Sequence, residues 1–132
     1  MGIDGKQSIL IHCKNVVDEA DFFTRVFDAS THVASETTRL VDTGAFLLRL
    51  IQADDDRNIT RNVQIELTVN SVNTFAEQVW NRGIKYSSRP QNHKDGVRRV
   101  GFVSPSEVRV YGAGPMKMDS TGALPVFKPE GN

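Results

Sequence analysis

The side chains best suited to chemistry in this 132-residue sequence are His12, Gln64 and Glu66, and all three fall on runs that alternate apolar with polar residues. Successive side chains of an extended chain point to opposite faces. His12 therefore points the same way as Ser8, and Glu66 the same way as Gln64. An imidazole and a carboxylate are both donors for a divalent ion, so such a pair could capture a metal weakly. The same two groups can instead line a cavity and hydrogen-bond a ligand or each other, and this is the reading favoured here. No Ser-His-Asp or Cys-His arrangement can be assigned, because nothing brings a nucleophile, a base and an orienting group together. Gly112-Ala113-Gly114 is not a phosphate loop, since no helix start with a lysine follows it. Cys13, the only cysteine, alternates onto the face opposite His12, where a buried thiol is inert. His32 and His93 read as surface groups, and Asp54 to Asp56 as a solvated linker that could attract a cationic partner.

These residues are positioned by elements that occur twice. Ser8 to Lys14 reads as a strand; Asn15 can cap a helix whose apolar face is Val16, Ala20, Phe23 and Phe27, stopping near Asp28-Ala29. His32 to Glu36, Thr38 to Asp42 and Ala45 to Gln52 read as strands, with Asp42-Thr43-Gly44 as the turn before the last. After a linker from Ala53 to Asn62, Val63 to Val69 opens the same order again. Asn70 or Ser71 caps a helix with Val72, Phe75, Ala76 and Val79 inward and Gly83 at its end. Lys85 to Ser88, Val97 to Val103 and Glu107 to Tyr111 complete the set, with 90–96 as polar loop. A shift of 56 residues superposes the copies, laying Ile11 on Leu67, Val16 on Val72 and Ala20 on Ala76. Two copies of one unit bury their apolar faces against each other, and the surface they enclose is the natural binding place.

Bulk properties restrict the rest. Lys plus Arg equals Asp plus Glu at 16 each, so neither a nucleic-acid nor a membrane-surface partner is indicated. No apolar run approaches the roughly 20 residues a membrane span needs. The polar start and the single cysteine fit a reducing, cytoplasmic setting. By length the chain is one domain, 1–132, with module one at about 7–53, module two at about 63–114 and a C-terminal arm over 115–132. Within that arm, Ala123 to Phe127 is apolar enough to expect a packing partner. Trp80, on the second helix, reads as a packing or dimer-contact residue.

The doubled strand-helix-strand-strand-strand order resembles the vicinal oxygen chelate superfamily, which contains glyoxalase I, extradiol dioxygenases, fosfomycin-resistance enzymes and bleomycin-binding resistance proteins. Asp21 to Phe27 is similar to its first-helix signature, an aromatic pair followed by polar residues and an apolar one before a turn. Gly83-Ile84 matches the end of its second helix, and Ser104-Pro105-Ser106 stands where the family has Asp-Pro-Asp/Glu-Gly. Here Phe27-Asp28 replaces the usual Leu-Gly, and no glycine follows Ser106. The resemblance spans about Gln7 to Gly112 and implies an α+β fold of two tandem βαβββ modules forming a cupped mixed sheet, as a dimer.

Metal-using members place four His, Glu or Gln ligands on the first and last strands of each copy. The resemblance maps these positions to Ser8, near Leu48, Gln64 and Tyr111, a set that does not make a divalent-metal site; a one-residue slip would offer Arg49 and Val110. The implied cup is lined by Ser8, Leu10 and His12, by Gln64, Glu66 and Thr68, and by Arg109 and Tyr111, with Phe46, Leu48 and Leu50 as its apolar wall. Glu66 and Arg109 could pair with each other, and Tyr111 could be ordinary packing. The expectation is a metal-independent protein without cofactor that sequesters a small molecule of antibiotic or toxin type, as the bleomycin-resistance branch does, and acts as a homodimer. The neutral charge argues against bleomycin itself and for a smaller, flatter or neutral ligand. The alternative is a metal-dependent lyase or dioxygenase-like enzyme with its metal displaced to His12, Gln64 and Glu66.

Overall fold

The computed structural model describes residues 7–117, and the arm beyond them, including Ala123 to Phe127, lies outside the described residues. Module one runs β1 (Ser8–Cys13), α1 (Val16–Phe27), β2 (Ser30–Ser35), β3 (Thr38–Asp42) and β4 (Leu47–Gln52). Module two runs β5 (Gln64–Thr68), α2 (Val72–Asn81), β6 (Ser88–Asn92), β7 (Val97–Val103) and β8 (Arg109–Pro115). Each module forms a four-stranded mixed sheet, ordered β1-β4-β3-β2 and β5-β8-β7-β6. The first strand pairs in parallel with the last, and the other pairings are antiparallel. The copies keep the offset read from the sequence: their first strands start at Ser8 and Gln64, their helices at Val16 and Val72.

Helix starts follow from capping. Asn15 accepts from the Asp18 N–H and Ser71 from the Thr74 N–H, each satisfying a donor that has no partner inside its helix. The two turns that lack the resemblance's glycine are made without it. Asp28 closes α1 at φ 51° and Glu107 turns before β8 at φ 69°, both in the left-handed region that glycine favours.

Two expectations differ from the structure. The strand expected at Lys85–Ser88 lies instead at Ser88–Asn92 (β6), running into the stretch that reads as polar loop; it is an edge strand with a register shift between Ser88 and Gln91, where Pro90 is tolerated because one edge carries no ladder. β8 runs four residues beyond Tyr111, because Gly112 passes under α2, where a Cβ would stand 2.5 Å from the Phe75 ring. A side chain there would separate helix from sheet.

One apolar core joins both modules on the helix side of the sheets. Ile11, Cys13, Val41, Leu48 and Leu50 meet Phe23 and Val26 of α1, while Val100, Phe102 and Val110 meet Val79 of α2. Edge-to-face contacts of Phe22 with Phe23 and of Phe75 with Phe102 fill this layer. Among the described residues, no helix is long and apolar enough to cross a membrane.

Candidate functional site

Register decides which side chains the open sheet faces carry. In module one, Leu10 stands beside Arg49, Arg49 beside Leu40, and Leu40 beside His32, so these four form one row across the sheet. Ser8 and His12 share that face with Leu47 and Ile51. In module two, Gln64 stands beside Arg109, Glu66 beside Tyr111 and Thr68 beside Ala113. β7 adds Val103, Gly101 and Arg99 to these three rows. The module-two positions expected on one face (Gln64, Glu66, Thr68, Arg109 and Tyr111) are thus on one face.

Module one requires a correction. Leu48 and Leu50 are fully buried and pair with Ile9 and Ile11 on the helix side, so they are core and line no open face. Phe46 also packs on the helix side, with its ring 6.0 Å from that of Phe27. The apolar groups actually on the open face are Leu10, Leu40, Leu47 and Ile51. The misassignment arises because residues 46–51 are apolar on both faces except at Arg49, and that lone cation marks the outward side.

The same register corrects the strand position near Leu48. Leu10 and Glu66 are equivalent in the repeat; Arg49 is the neighbour of the first and Tyr111 of the second. The four positions implied by the resemblance are therefore Ser8, Arg49, Gln64 and Tyr111. A guanidinium has no lone pair to give a metal at any physiological pH, and it places a fixed cation where a divalent ion would need an anion. The donor set does not fit a metal. Among the described residues, no group of three or more His, Cys, Asp or Glu side chains could hold one.

Charge on the module-two face is organised around Arg99. Its guanidinium donates to Glu66 at 2.9 Å and pairs with Asp95 at 2.8 Å. Asp95 is pulled below the usual carboxylate range chiefly by its hydrogen bond from Arg99. Glu66 thus pairs with Arg99 and not with Arg109. No side-chain hydrogen bond or ion pair engages Arg49 or Arg109 among the described residues. Tyr111 is positioned by the absence of a side chain at Gly101, where a Cβ would lie 3.1 Å from the Tyr111 ring.

Among the described residues, the expected positions border two separate cavities. Gln64 and Arg109 border a cavity of about 480 Å³ with Arg61, Val103 and Glu107. His12 borders a separate one of about 420 Å³ with Thr37, Ile51 and Asn58. The two sheets share no hydrogen-bonded edge, and Leu10 (52% exposed) and Val103 (43%) leave apolar surface open on both faces.

Another polar group, like Arg99, escaped the sequence reading. Glu19 of α1 is completely buried and accepts the Ser106 N–H at 2.9 Å and the Ser104 hydroxyl, both on the turn before β8. Ser104 accepts in turn from the Val108 N–H at 2.9 Å, and the Ser106 hydroxyl from the Lys14 N–H at 2.8 Å. Burial raises the Glu19 carboxyl above its ordinary value, against the hydrogen bonds that lower it. Burial, with Glu19 adding to it, also pushes the Cys13 thiol up to about 12. A helix carboxylate flanked by Asp18 and Asp21 carries no sequence signal of burial, because its partners lie 85 and 87 residues away. Its place inside the molecule, between the modules, makes it a tie, not a ligand contact.

No protein-family model matches the chain, and no curated protein matches it. Solved structures do. A glyoxalase/bleomycin resistance protein/dioxygenase from Nocardioides is 14% identical, with a TM-score of 0.70 over 95% of this chain and 92% of its own. One from Alicyclobacillus acidocaldarius is 12% identical, with a TM-score of 0.68 over 86% and 93%. A lactoylglutathione lyase from Agrobacterium tumefaciens is 12% identical, with a TM-score of 0.63 over 86% and 96%. The chain has the fold of these proteins, the two-module α+β arrangement that its repeat and motifs resemble.

Proposed function

We propose that this chain, built on the glyoxalase/bleomycin resistance fold, is a metal-independent, small-molecule-binding protein that acts by sequestration. The observation that carries the reading is Arg49: where the resemblance implies a metal ligand, the sheet presents a cation among Leu10, Leu40 and His32. A face of leucines around a few polar groups is suited to holding an organic ligand with an apolar body. In place of the neutral ligand that the net charge suggested, Arg49 and Arg109 favour one with an anionic edge, such as an antibiotic- or toxin-like acid. The reading includes a homodimer in a cytoplasmic setting, since β1 and β5 are edge strands able to adjoin a second copy.

The competing metal-dependent lyase or dioxygenase-like reading needs Glu66 as a ligand, yet Glu66 is held by Arg99. Replacing His12 and Glu66 together with Ala distinguishes the two. Sequestration expects weakened but measurable ligand binding and no change in metal content; loss of a bound divalent ion together with turnover would establish the enzyme.

A further inference from the structure

We propose, on the small-molecule-binding reading above, that Arg61 and Arg109 clamp the carboxylate of an organic acid, and that Glu107 competes with it for Arg61. The cavity involved holds about 480 Å³ and is lined by Arg61, Val63, Gln64, Val103, Glu107 and Arg109. A space of this size admits a small organic molecule. Among the described residues, two guanidiniums and one carboxylate border it, so an entering anion meets a net positive charge.

Backbone contacts bring the two arginines to one place. Arg61 lies in the linker between the modules, and Arg109 opens β8. The Arg109 N–H donates to the Val63 carbonyl at 3.1 Å, which fixes the end of the linker beside the start of β8. Just before Arg61, Thr60 is held on β1: its N–H donates to the His12 carbonyl at 3.0 Å, and its hydroxyl accepts the His12 N–H at 2.8 Å. Between these anchors Asn62 turns the chain at φ 60°. The backbone under Arg61 is thus set before a ligand arrives, which lowers the ordering cost of binding. Across the sheet, Gln64, Arg109 and Val103 stand in one row, an amide, a guanidinium and an apolar wall side by side.

The two guanidiniums have donors to spare. Among the described residues, Arg109 makes no side-chain hydrogen bond or ion pair. Arg61 donates to the Asp56 carbonyl at 3.3 Å and stands 3.7 Å from Glu107, a loose pair between two exposed side chains. Such a pair contributes little to stability. A guanidinium offers parallel N–H donors that match the two oxygens of a carboxylate. A ligand carboxylate therefore has two forks to meet, with the Gln64 amide beside them and Val63 and Val103 for its apolar body. Glu107 is the anion that such an acid must displace.

Fluorescence titration of the full-length protein with 2-naphthoate and its uncharged amide, 2-naphthamide, tests the clamp. Wild type should bind the acid and hold the amide far more weakly. Arg61→Gln and Arg109→Gln should each weaken 2-naphthoate by about tenfold or more, as the loss of a hydrogen bond between charged groups does. Arg57→Gln removes an equal charge from an exposed linker residue outside the cavity and should change nothing. Glu107→Gln should tighten binding, a gain that a misfolded variant cannot produce. Equal binding of acid and amide, or no binding of the acid, overturns the proposal. Binding that the Arg61, Arg109 and Glu107 variants leave unchanged, and that Arg49→Ala weakens, also overturns it while leaving sequestration on the module-one face intact. A divalent ion retained by wild type removes the sequestration reading itself, and the clamp then stands or falls on the titration alone.

Discussion

Removing the Glu19 carboxylate should loosen the joint between the two modules. Glu19→Ala leaves two buried donors, the Ser106 N–H and the Ser104 hydroxyl, without an acceptor, on residues no more than 5% exposed. Each such donor costs about 1–3 kcal/mol, partly offset because a desolvated carboxylate is removed with them. A net loss of about 3 kcal/mol is expected, or about 10 °C in Tm for a domain of this size. Glu19→Gln keeps one acceptor and should cost about 1 kcal/mol. The pH dependence has a definite sign. Since burial raises the folded-state carboxyl, the native protein holds this proton to a higher pH than the unfolded chain does. Its contribution is fully present below the unfolded value near about 4.3 and is lost as pH rises through the folded value. In urea unfolding followed by circular dichroism, the stability difference between wild type and Glu19→Gln should therefore shrink as pH is raised from acid toward neutral. A difference that stays flat or grows with pH would refute the reasoning, because hydrogen bonding would then outweigh burial.

Other outcomes follow from the two faces of module one. Leu48→Ala should destabilise by about 2–5 kcal/mol, as a fully buried core leucine does. Arg49→Ala should leave the unfolding free energy within about 0.5 kcal/mol while weakening binding of an anionic ligand, measured by calorimetry once a ligand mass is in hand. Gly101→Ala should displace the Tyr111 ring and the Ser88 hydroxyl, reducing ligand affinity through a residue that touches no ligand. Cys13 should resist an aromatic disulfide reagent in the native state and react only as the protein unfolds, since its thiol is buried and pushed up to about 12.

The doubled architecture was legible because it is written in local signals. Asn15 and Ser71 cap at equivalent places, and alternation in Val63 to Val69 correctly sets Gln64, Glu66 and Thr68 on one face. Module one was harder. Leu47-Leu48-Arg49-Leu50-Ile51 is apolar on both faces, so the period of two vanishes and only the parallel pairing with β1 fixes which leucines point inward. Glu19 and Arg99 were illegible for a different reason. Their roles depend on partners far along the chain, and no periodicity encodes a hydrogen bond from α1 to the turn before β8. β6 was read three residues too early, at Lys85–Ser88, because its proline argues against a central strand and is silent about an edge.

Native mass spectrometry of the untagged protein after exposure to cell extract, with and without added nickel, manganese and zinc, tests the central claim most directly. The account predicts a dimer that carries no divalent ion, whose bound organic mass survives a chelator and is unchanged by the added metals. One tightly held divalent ion per cup would contradict it and put the metal-dependent enzyme first.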